Sequence, residues 1–296
     1  MKKTALFRLH FIVFLWGFTA ILGKLIEANA QVLVFYRMLL AAVFLAIFAV
    51  FVKREKIRLP GKLAVQLLAV GGVMAFHWLC FFHSIKVSNV SIALSCLSLS
   101  TLFVSLLEPL IFKRKIDLSE IIMGLVIVGC MIMIFQVEFH YKEGIFFGIL
   151  TALGGAVFSV FNGKLYGKTS STNIILYEIG GGWFLTAIFL LFTGQLAAVN
   201  EISFRDLALV ILLASVFTAY PMLESVNLMK YISPFTLVLT VNLEPVYGIL
   251  LAFFIFGESE KMSTGFYVAS LVMILAIAVN GVLKSRRQAQ QKLETK

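Results

Sequence analysis

Along this chain, apolar runs of bilayer-spanning length alternate with short polar connections. A helix needs about 20 apolar residues to cross the hydrocarbon core. Ten segments of roughly that length occur: Phe7–Ile26, Gln31–Val52, Leu63–Ile85, Asn89–Phe112, Leu118–Gln136, Gly144–Leu165, Thr172–Phe192, Asp206–Met229, Ser233–Phe256 and Thr264–Leu283. The connections are too short to hold a soluble domain. The pattern predicts an all-α membrane protein with ten transmembrane helices and a charged tail over residues 285–296.

The runs also repeat. From Ser84-Ile85-Lys86 to Phe112 the sequence aligns, without a gap, on Leu228-Met229-Lys230 to Phe256 at a constant offset of 144 residues. Asn89 then falls on Ser233, Phe112 on Phe256 and Ser119 on Ser263. Two units follow, residues 1–136 and 144–284, each with five spans. Five is odd, so the second unit enters the membrane upside down relative to the first. The expected architecture is two inverted five-helix repeats, the arrangement by which secondary transporters exchange inward-facing and outward-facing states.

Composition agrees with the membrane placement. The chain is 60% hydrophobic, carries 29 Phe and is only 14% charged, more apolar surface than a water-soluble core of this size can hide. Orientation follows from the 25 Lys and Arg. With the N-terminus cytoplasmic, 19 fall on that side, among them Lys2, Lys3, Arg8, Lys53, Arg54, Lys113, Arg114, Lys115, Lys164, Lys168 and Lys284. Five, namely Lys24, Lys86, Lys142, Arg205 and Lys261, fall on the other side, and Arg37 lies inside a span. Both termini are therefore expected in the cytoplasm, with the chain in the cell (inner) membrane. The same asymmetry accounts for the net charge of +10 through loop anchors on anionic headgroups. The partners expected are the lipid bilayer and a small-molecule substrate, with no nucleic acid. The pattern is silent on oligomeric state.

Two motifs imitate something else. Met1-Lys2-Lys3, an apolar run and Ala28-Asn29-Ala30 resemble a cleavable signal peptide, but removing this run would leave nine spans and break the repeat, so it is expected to be retained. Gly163-Lys-Leu-Tyr-Gly167-Lys168-Thr169 imitates a phosphate-binding loop, with three residues between the glycines where four are needed and a membrane helix before it where a strand is needed. ATP is not expected as the energy source. Cys80, Cys96 and Cys130 are isolated within spans and read as small packing residues. No cofactor, metal or disulfide is expected.

Trp16-Gly17 in the first span, Arg37 in the second, Glu244-Pro245 in the ninth and Gly257-Glu258 just after it resemble the recurring positions of the EamA family within the drug/metabolite transporter superfamily. The resemblance covers essentially the whole chain. It implies a five-plus-five inverted-repeat permease that moves small metabolites or amino acids, often outward. The first unit departs from the pattern, with Ser100-Thr101 in the place of Glu244-Pro245 and Lys113-Arg114 in the place of Gly257-Glu258. Glu108-Pro109 is eight residues out of register with the second-unit pair.

Candidate site residues are the polar groups that a bilayer penalises. An Arg, Lys or Asp at mid-span costs roughly 2.5–3.5 kcal/mol on insertion scales, so such groups usually face a bundle interior or a water-filled cavity. Arg37 and Glu178 hold matching places in Tyr36-Arg37 and Tyr177-Glu178. Each is read either as an anchor snorkelling to the interface or as functional, Arg37 then offering a fork to a substrate carboxylate or phosphate or pairing with a Glu across a central cavity. Ser233, Thr236, Thr240, Glu244 and Tyr247 share one helical face. That stripe lines a cavity or glues helices, and the carboxylate favours the cavity. Pro245 would release a carbonyl one turn earlier as an acceptor or hinge. Ser91, Ser95, Ser98 and Ser105 form a comparable row ending at Glu108.

His77 and Trp78 in the third span and Tyr220 and Glu224 in the eighth complete the set. A membrane His is a packing donor or a proton carrier, and Glu178, Glu224 and Glu244 are the acids able to couple an ion. Trp16, Phe76 and Trp78 offer an aromatic wall or pack against neighbours. The function expected is a secondary active permease, working by alternating access, for a small organic metabolite or amino acid, in the export direction, and not an enzyme. The alternatives are a lipid-modifying membrane enzyme, whose polar clusters are missing from the sequence, and a sensor or scaffold, whose extended cytoplasmic regions are missing.

Overall fold

The computed structural model describes residues 2–113, 115, 118–228, 231, 240–241 and 243–294. Every regular element among them is helical. In chain order they are α1 (Lys2–Leu25), α2 (Ala30–Ile47, continued by a π turn over Phe48–Val52), α3 (Gly61–Val87), α4 (Val90–Leu97), α5 (Ser100–Phe112), α6 (Leu118–Val137), α7 (Lys142–Leu165), α8 (Ser171–Phe192), α9 (Phe204–Ala214), α10 (Tyr220–Leu228), α11 (Glu244–Phe256) and α12 (Thr264–Glu294). A second π turn, Ser215–Ala219, joins α9 to α10.

Seven segments among the described residues are long and apolar enough to cross a bilayer: Thr4–Leu25, Ala30–Val52, Gly61–Val87, Val90–Phe112, Phe139–Leu165, Ser171–Phe192 and Phe204–Ser225. They correspond to the first four expected spans and to the sixth, seventh and eighth. The fifth and tenth are represented by shorter apolar helices, Ile121–Val137 and Thr264–Ala276. The first part of the ninth, including Ser233 and Thr236, lies outside the described residues. The chain is thus an all-helical, multi-pass membrane protein. Its outer surface is apolar, with Phe7, Phe51, Phe192, Phe204 and Phe254 all more than 70% exposed.

Local sequence explains where the helices begin and end. Asn29, Asn89, Ser170 and Ser203 sit in extended backbone and cap α2, α4, α8 and α9, each accepting the N–H three residues on at 2.8–3.2 Å, which satisfies a donor that the helix leaves open. The fourth span is broken after Leu97, and α5 restarts at Ser100. In the ninth span α11 starts at Glu244. Both helices run 13 residues, to Phe112 and to Phe256, and the 144-residue offset carries one onto the other. Each is followed by a residue of positive φ, Lys113 at 53° and Gly257 at 55°, an angle that suits glycine and that a lysine adopts at some cost.

The helix restart alters the role expected for Pro245. It occupies the first turn of α11, where a proline has no hydrogen bond to lose, so it starts a helix and does not kink one.

Contacts are carried by small residues, as expected where lipid cannot drive helices together by the hydrophobic effect. α3 packs along both α7 and α8, α2 along α8, α1 along α11, and α6 along α12. A β-carbon at Gly71 would strike the Glu178 backbone carbonyl, and one at Gly181 would lie 2.7 Å from the Leu68 Cα. The α3–α8 backbones therefore touch. Gly17 of α1 meets Tyr247 and Gly248 of α11 in the same way, at 3.1 and 3.2 Å.

Candidate functional site

Arg37 of α2 is 3% exposed, so it does not snorkel to the interface. Its Nε donates to Thr218 Oγ1 at 2.9 Å. Thr218 belongs to the π turn between α9 and α10, and its hydroxyl in turn donates to the Leu213 carbonyl, five residues back, at 2.7 Å. The widened turn therefore presents an oriented acceptor to the arginine. The guanidinium carbon lies 3.7 Å from the Trp78 ring centroid and 5.3 Å from that of Phe82, both on α3. A desolvated cation–π contact of this kind contributes about 2 kcal/mol. Nη1 is buried and has no hydrogen-bond partner.

The carboxylate facing this cation is Glu244. The two groups act on each other electrostatically, across a gap, because the single side-chain hydrogen bond of Arg37 goes to Thr218. Glu244 is half-buried at the first position of α11.

His77, one residue before Trp78, also lies in the field of Arg37. Its Nδ1 is 2.7 Å from the Thr151 carbonyl of α7. A carbonyl only accepts, so Nδ1 carries the hydrogen and Nε2 is left as an acceptor. Gly154 and Gly155 make room for the ring, since a β-carbon on Gly155 would lie 3.1 Å from Nδ1. Arg37, His77, Trp78 and Glu244 are thus brought into one neighbourhood from α2, α3 and α11.

The remaining candidates are distributed around it. Glu178 is wholly buried in α8, with Oε2 accepting from Asn162 Nδ2 of α7 at 3.1 Å and Oε1 without a partner. Glu224 forms an ion pair with Arg8 of α1. Ser95 is 3.4 Å from the Ser270 hydroxyl of α12, a contact between helices. Tyr247 stacks edge-on against Phe14 at 5.8 Å and reaches His10 Nδ1 at 3.4 Å. Thr240 is buried, and Tyr220 opens α10 with a half-exposed ring. A groove of about 450 Å³ between α2, α3, α7 and α8, walled by Phe76, Leu79, Phe147, Leu185 and Phe189, contains none of these residues.

Sequence reasoning missed Thr218, Phe82 and Asn162. Thr218 lies in a run, Ser215 to Tyr220, that reads as ordinary span, and the π turn that aims it leaves no mark in the sequence. Asn162 was findable as an amide inside a membrane helix.

Comparison with known proteins agrees with this picture. No curated protein matches the sequence. One solved crystal structure, 15% identical in sequence, superposes on 97% of this chain and 100% of its own length with a TM-score of 0.66, a likeness of fold. Residues 4–136 match the EamA-like transporter family. That stretch covers α1 to α6 and includes Trp16-Gly17 and Arg37, two of the positions that carried the resemblance. Through this match residues 4–136 of the chain are similar to the EamA-like transporter family, consistent with the drug/metabolite transporter superfamily.

Proposed function

We propose that the protein is a secondary active permease that exports a small organic metabolite or amino acid by alternating access, with ten spans arranged as two inverted five-helix repeats. It lies in the cell (inner) membrane with both termini cytoplasmic. The observation that carries the reading is Arg37. A permanent cation is held inside the bundle by a ring stack and one hydrogen bond, with Nη1 left over and a carboxylate facing it across a gap. Arg37 takes a substrate carboxylate, Glu244 takes an ammonium, and an amino acid carries both.

The repeat reading is supported by two further features. The breaks before Ser100 and Glu244 stand at matched positions, and discontinuous helices are where inverted-repeat transporters place substrate. The contacts also come in exchanged pairs. With α1 matched to α7 and α11 to α5, the packing of α1 on α11 has its counterpart in that of α7 on α5. Matching α2 to α8, and α3 to α9 and α10, turns the α3–α8 contact into the contact of α2 with α9.

Glu178, Glu224 and Glu244 are the acids available for ion coupling. The test is uptake by purified protein in sealed liposomes under an imposed pH gradient with no ATP present, read by mass spectrometry of an amino-acid and metabolite mixture. Gradient-driven accumulation of at least one zwitterionic or anionic solute is expected. A strict requirement for ATP hydrolysis by this chain would overturn the reading.

A further inference from the structure

Glu260 is an acid with 1% exposure, set in the short 3-10 turn Gly257–Glu260 between α11 and α12. Every lone-pair direction is in use. Oε1 accepts the Val90 N–H at 3.0 Å and the Lys24 ammonium at 2.8 Å. Oε2 accepts the Ser91 N–H and the Ser91 hydroxyl, both at 2.9 Å. Lys24 also donates to Ser259 Oγ at 2.9 Å and sits 4.4 Å from the Phe256 ring centroid. One carboxylate thereby joins the end of α1, the first turn of α4 and the turn before α12. Asn89, the cap of α4, adds a contact from its Nδ2 to Met262 Sδ at 3.3 Å.

A second clamp lies at the same face. Asp206, at the start of α9, accepts the N–H groups of Glu27 and Ala28 at 3.1 and 2.7 Å, and Lys86, at the end of α3, donates to the Ile26 carbonyl. Both clamps use an acid of the second unit to hold backbone N–H groups of the first. Charge-assisted hydrogen bonds of this kind are about twice as strong as neutral ones.

The 144-residue offset shows that the Glu260 cluster has no twin. Glu260 corresponds to Ile116, Val90 to Pro234 and Ser91 to Phe235. Ile116, Pro234 and Phe235 lie outside the described residues, and their identities alone settle the chemistry: isoleucine has no acceptor, proline has no N–H to give, and phenylalanine has no hydroxyl. The opposite end of the repeat cannot build the same cluster.

We infer that the Lys24–Glu260–Ser91 cluster is a latch that holds shut the membrane face at which α1 ends, distinct in chemistry from the Arg8–Glu224 ion pair that joins α1 to α10 toward the other face. In the topology proposed above the latched face is the outer one. The inference rests on the alternating-access reading, and opening that face requires α1 and α4 to leave the Gly257–Glu260 turn.

The test uses a cysteine-free background (Cys80, Cys96 and Cys130 replaced by Ala) with one reporter, Ala93→Cys, which is fully buried on α4 beneath the latch. Full-length protein in sealed vesicles is labelled with a membrane-impermeant maleimide applied from one side at a time. Glu260→Gln removes the charge, and Lys24→Met removes the cation while leaving the three α4 donors on Glu260, so the second variant keeps the fold's larger contact. Each is expected to speed labelling from the α1-end face by roughly tenfold or more, with the exchanged pair Lys24→Glu/Glu260→Lys returning toward the parent rate. Unchanged labelling in a folded Lys24→Met variant overturns the latch. Because the readout is independent of solute flux, faster labelling in a chain that moves no solute keeps the latch and removes the transport reading, whereas transport with unchanged labelling does the reverse.

Discussion

Arg37 and Trp78 come from different helices, yet the guanidinium carbon lies 3.7 Å from the indole centroid, so the ring that shields the charge also fixes its plane. The Nε bond to Thr218 sets the remaining rotation. Nη1 is left without a hydrogen-bond partner and is the atom proposed to take a substrate carboxylate.

Arg37→Lys keeps the charge and discards the fork and the stack. The variant is expected to accumulate normally and to lose about tenfold to hundredfold in transport, the worth of one or two charged hydrogen bonds, with the loss in KM. Trp78→Leu should weaken binding by a comparable amount, about 2 kcal/mol or roughly thirtyfold. Initial rates against substrate concentration in liposomes check both. A normal KM in Arg37→Lys would remove Arg37 from the site.

The glycines give a stability test with its own control. Gly71→Ala drives a β-carbon into the Glu178 carbonyl, whereas a β-carbon at Gly180 meets nothing within 4 Å. Overpacking of this kind costs about 1–3 kcal/mol, while Gly→Ala in an open helix position gains up to about 1 kcal/mol. Thermal melting in detergent should therefore fall for Gly71→Ala and hold or rise for Gly180→Ala. Equal effects would mean that α3 and α8 do not touch.

Most of the spans were legible because a bilayer asks for a crude property, some twenty apolar residues in a row, which Gln31–Val52 or Leu63–Ile85 meets without help. The proposed repeat rests on a different signal, the gap-free match that sets Lys86 against Lys230. The break at Ser98 and Leu99 was not, because neither residue disfavours a helix strongly and the second unit marks its own break with Pro245 placed harmlessly in a first turn. Arg37, Trp78, His77 and Glu244 were each singled out singly, but their convergence depends on helix rotation, which hydrophobic pattern leaves undetermined in a helix apolar on most sides. Glu260 was passed over for Glu258. Only the structure separates them, since in a 3-10 turn one acid is buried under α4 and the other is exposed and paired with Lys261 at 3.2 Å.

Topology can be checked directly. Reporter fusions after Val52, Ile85 and Phe112 should alternate inside, outside, inside, and Lys86 and Lys142 should be reached by impermeant reagents from outside only. Intact mass should show residues 1–30 retained. Loss of that segment would leave Arg37 without the α1–α11 contact that borders its site, and would end the five-plus-five reading.

Glu178 separates coupling from binding. It is buried with Oε1 unpartnered and with Asn162 as its one hydrogen-bond donor. Glu178→Gln preserves size and hydrogen-bonding reach. If Glu178 carries a coupled proton, pH-driven accumulation is lost while solute exchange across the membrane, which needs no net proton movement, continues at the parent rate. Loss of both together places Glu178 in binding or folding instead.

Glu244 is expected to matter for substrate or proton binding more than for folding. It opens α11 at the point where the ninth span restarts, its charge faces Arg37, and its counterpart under the offset is Ser100, whose hydroxyl is taken up by the Ala152 carbonyl at 3.2 Å. One carboxylate therefore breaks the symmetry of the two units at their breaks. Glu244→Gln keeps the shape and leaves Pro245 to start the helix, so membrane accumulation should match the parent. Transport should fall sharply or lose its pH dependence, and zwitterionic substrates should suffer more than anions, because the ammonium loses its partner while Arg37 still binds the carboxylate. Normal rate, affinity and pH profile in this variant would make Glu244 a packing residue and leave Arg37 as the sole charged contact. Thr240→Val, at a buried position four residues before Glu244, serves as the milder probe should the Gln variant fail to accumulate: reduced affinity there would keep this segment in the binding site, and unchanged affinity would remove it.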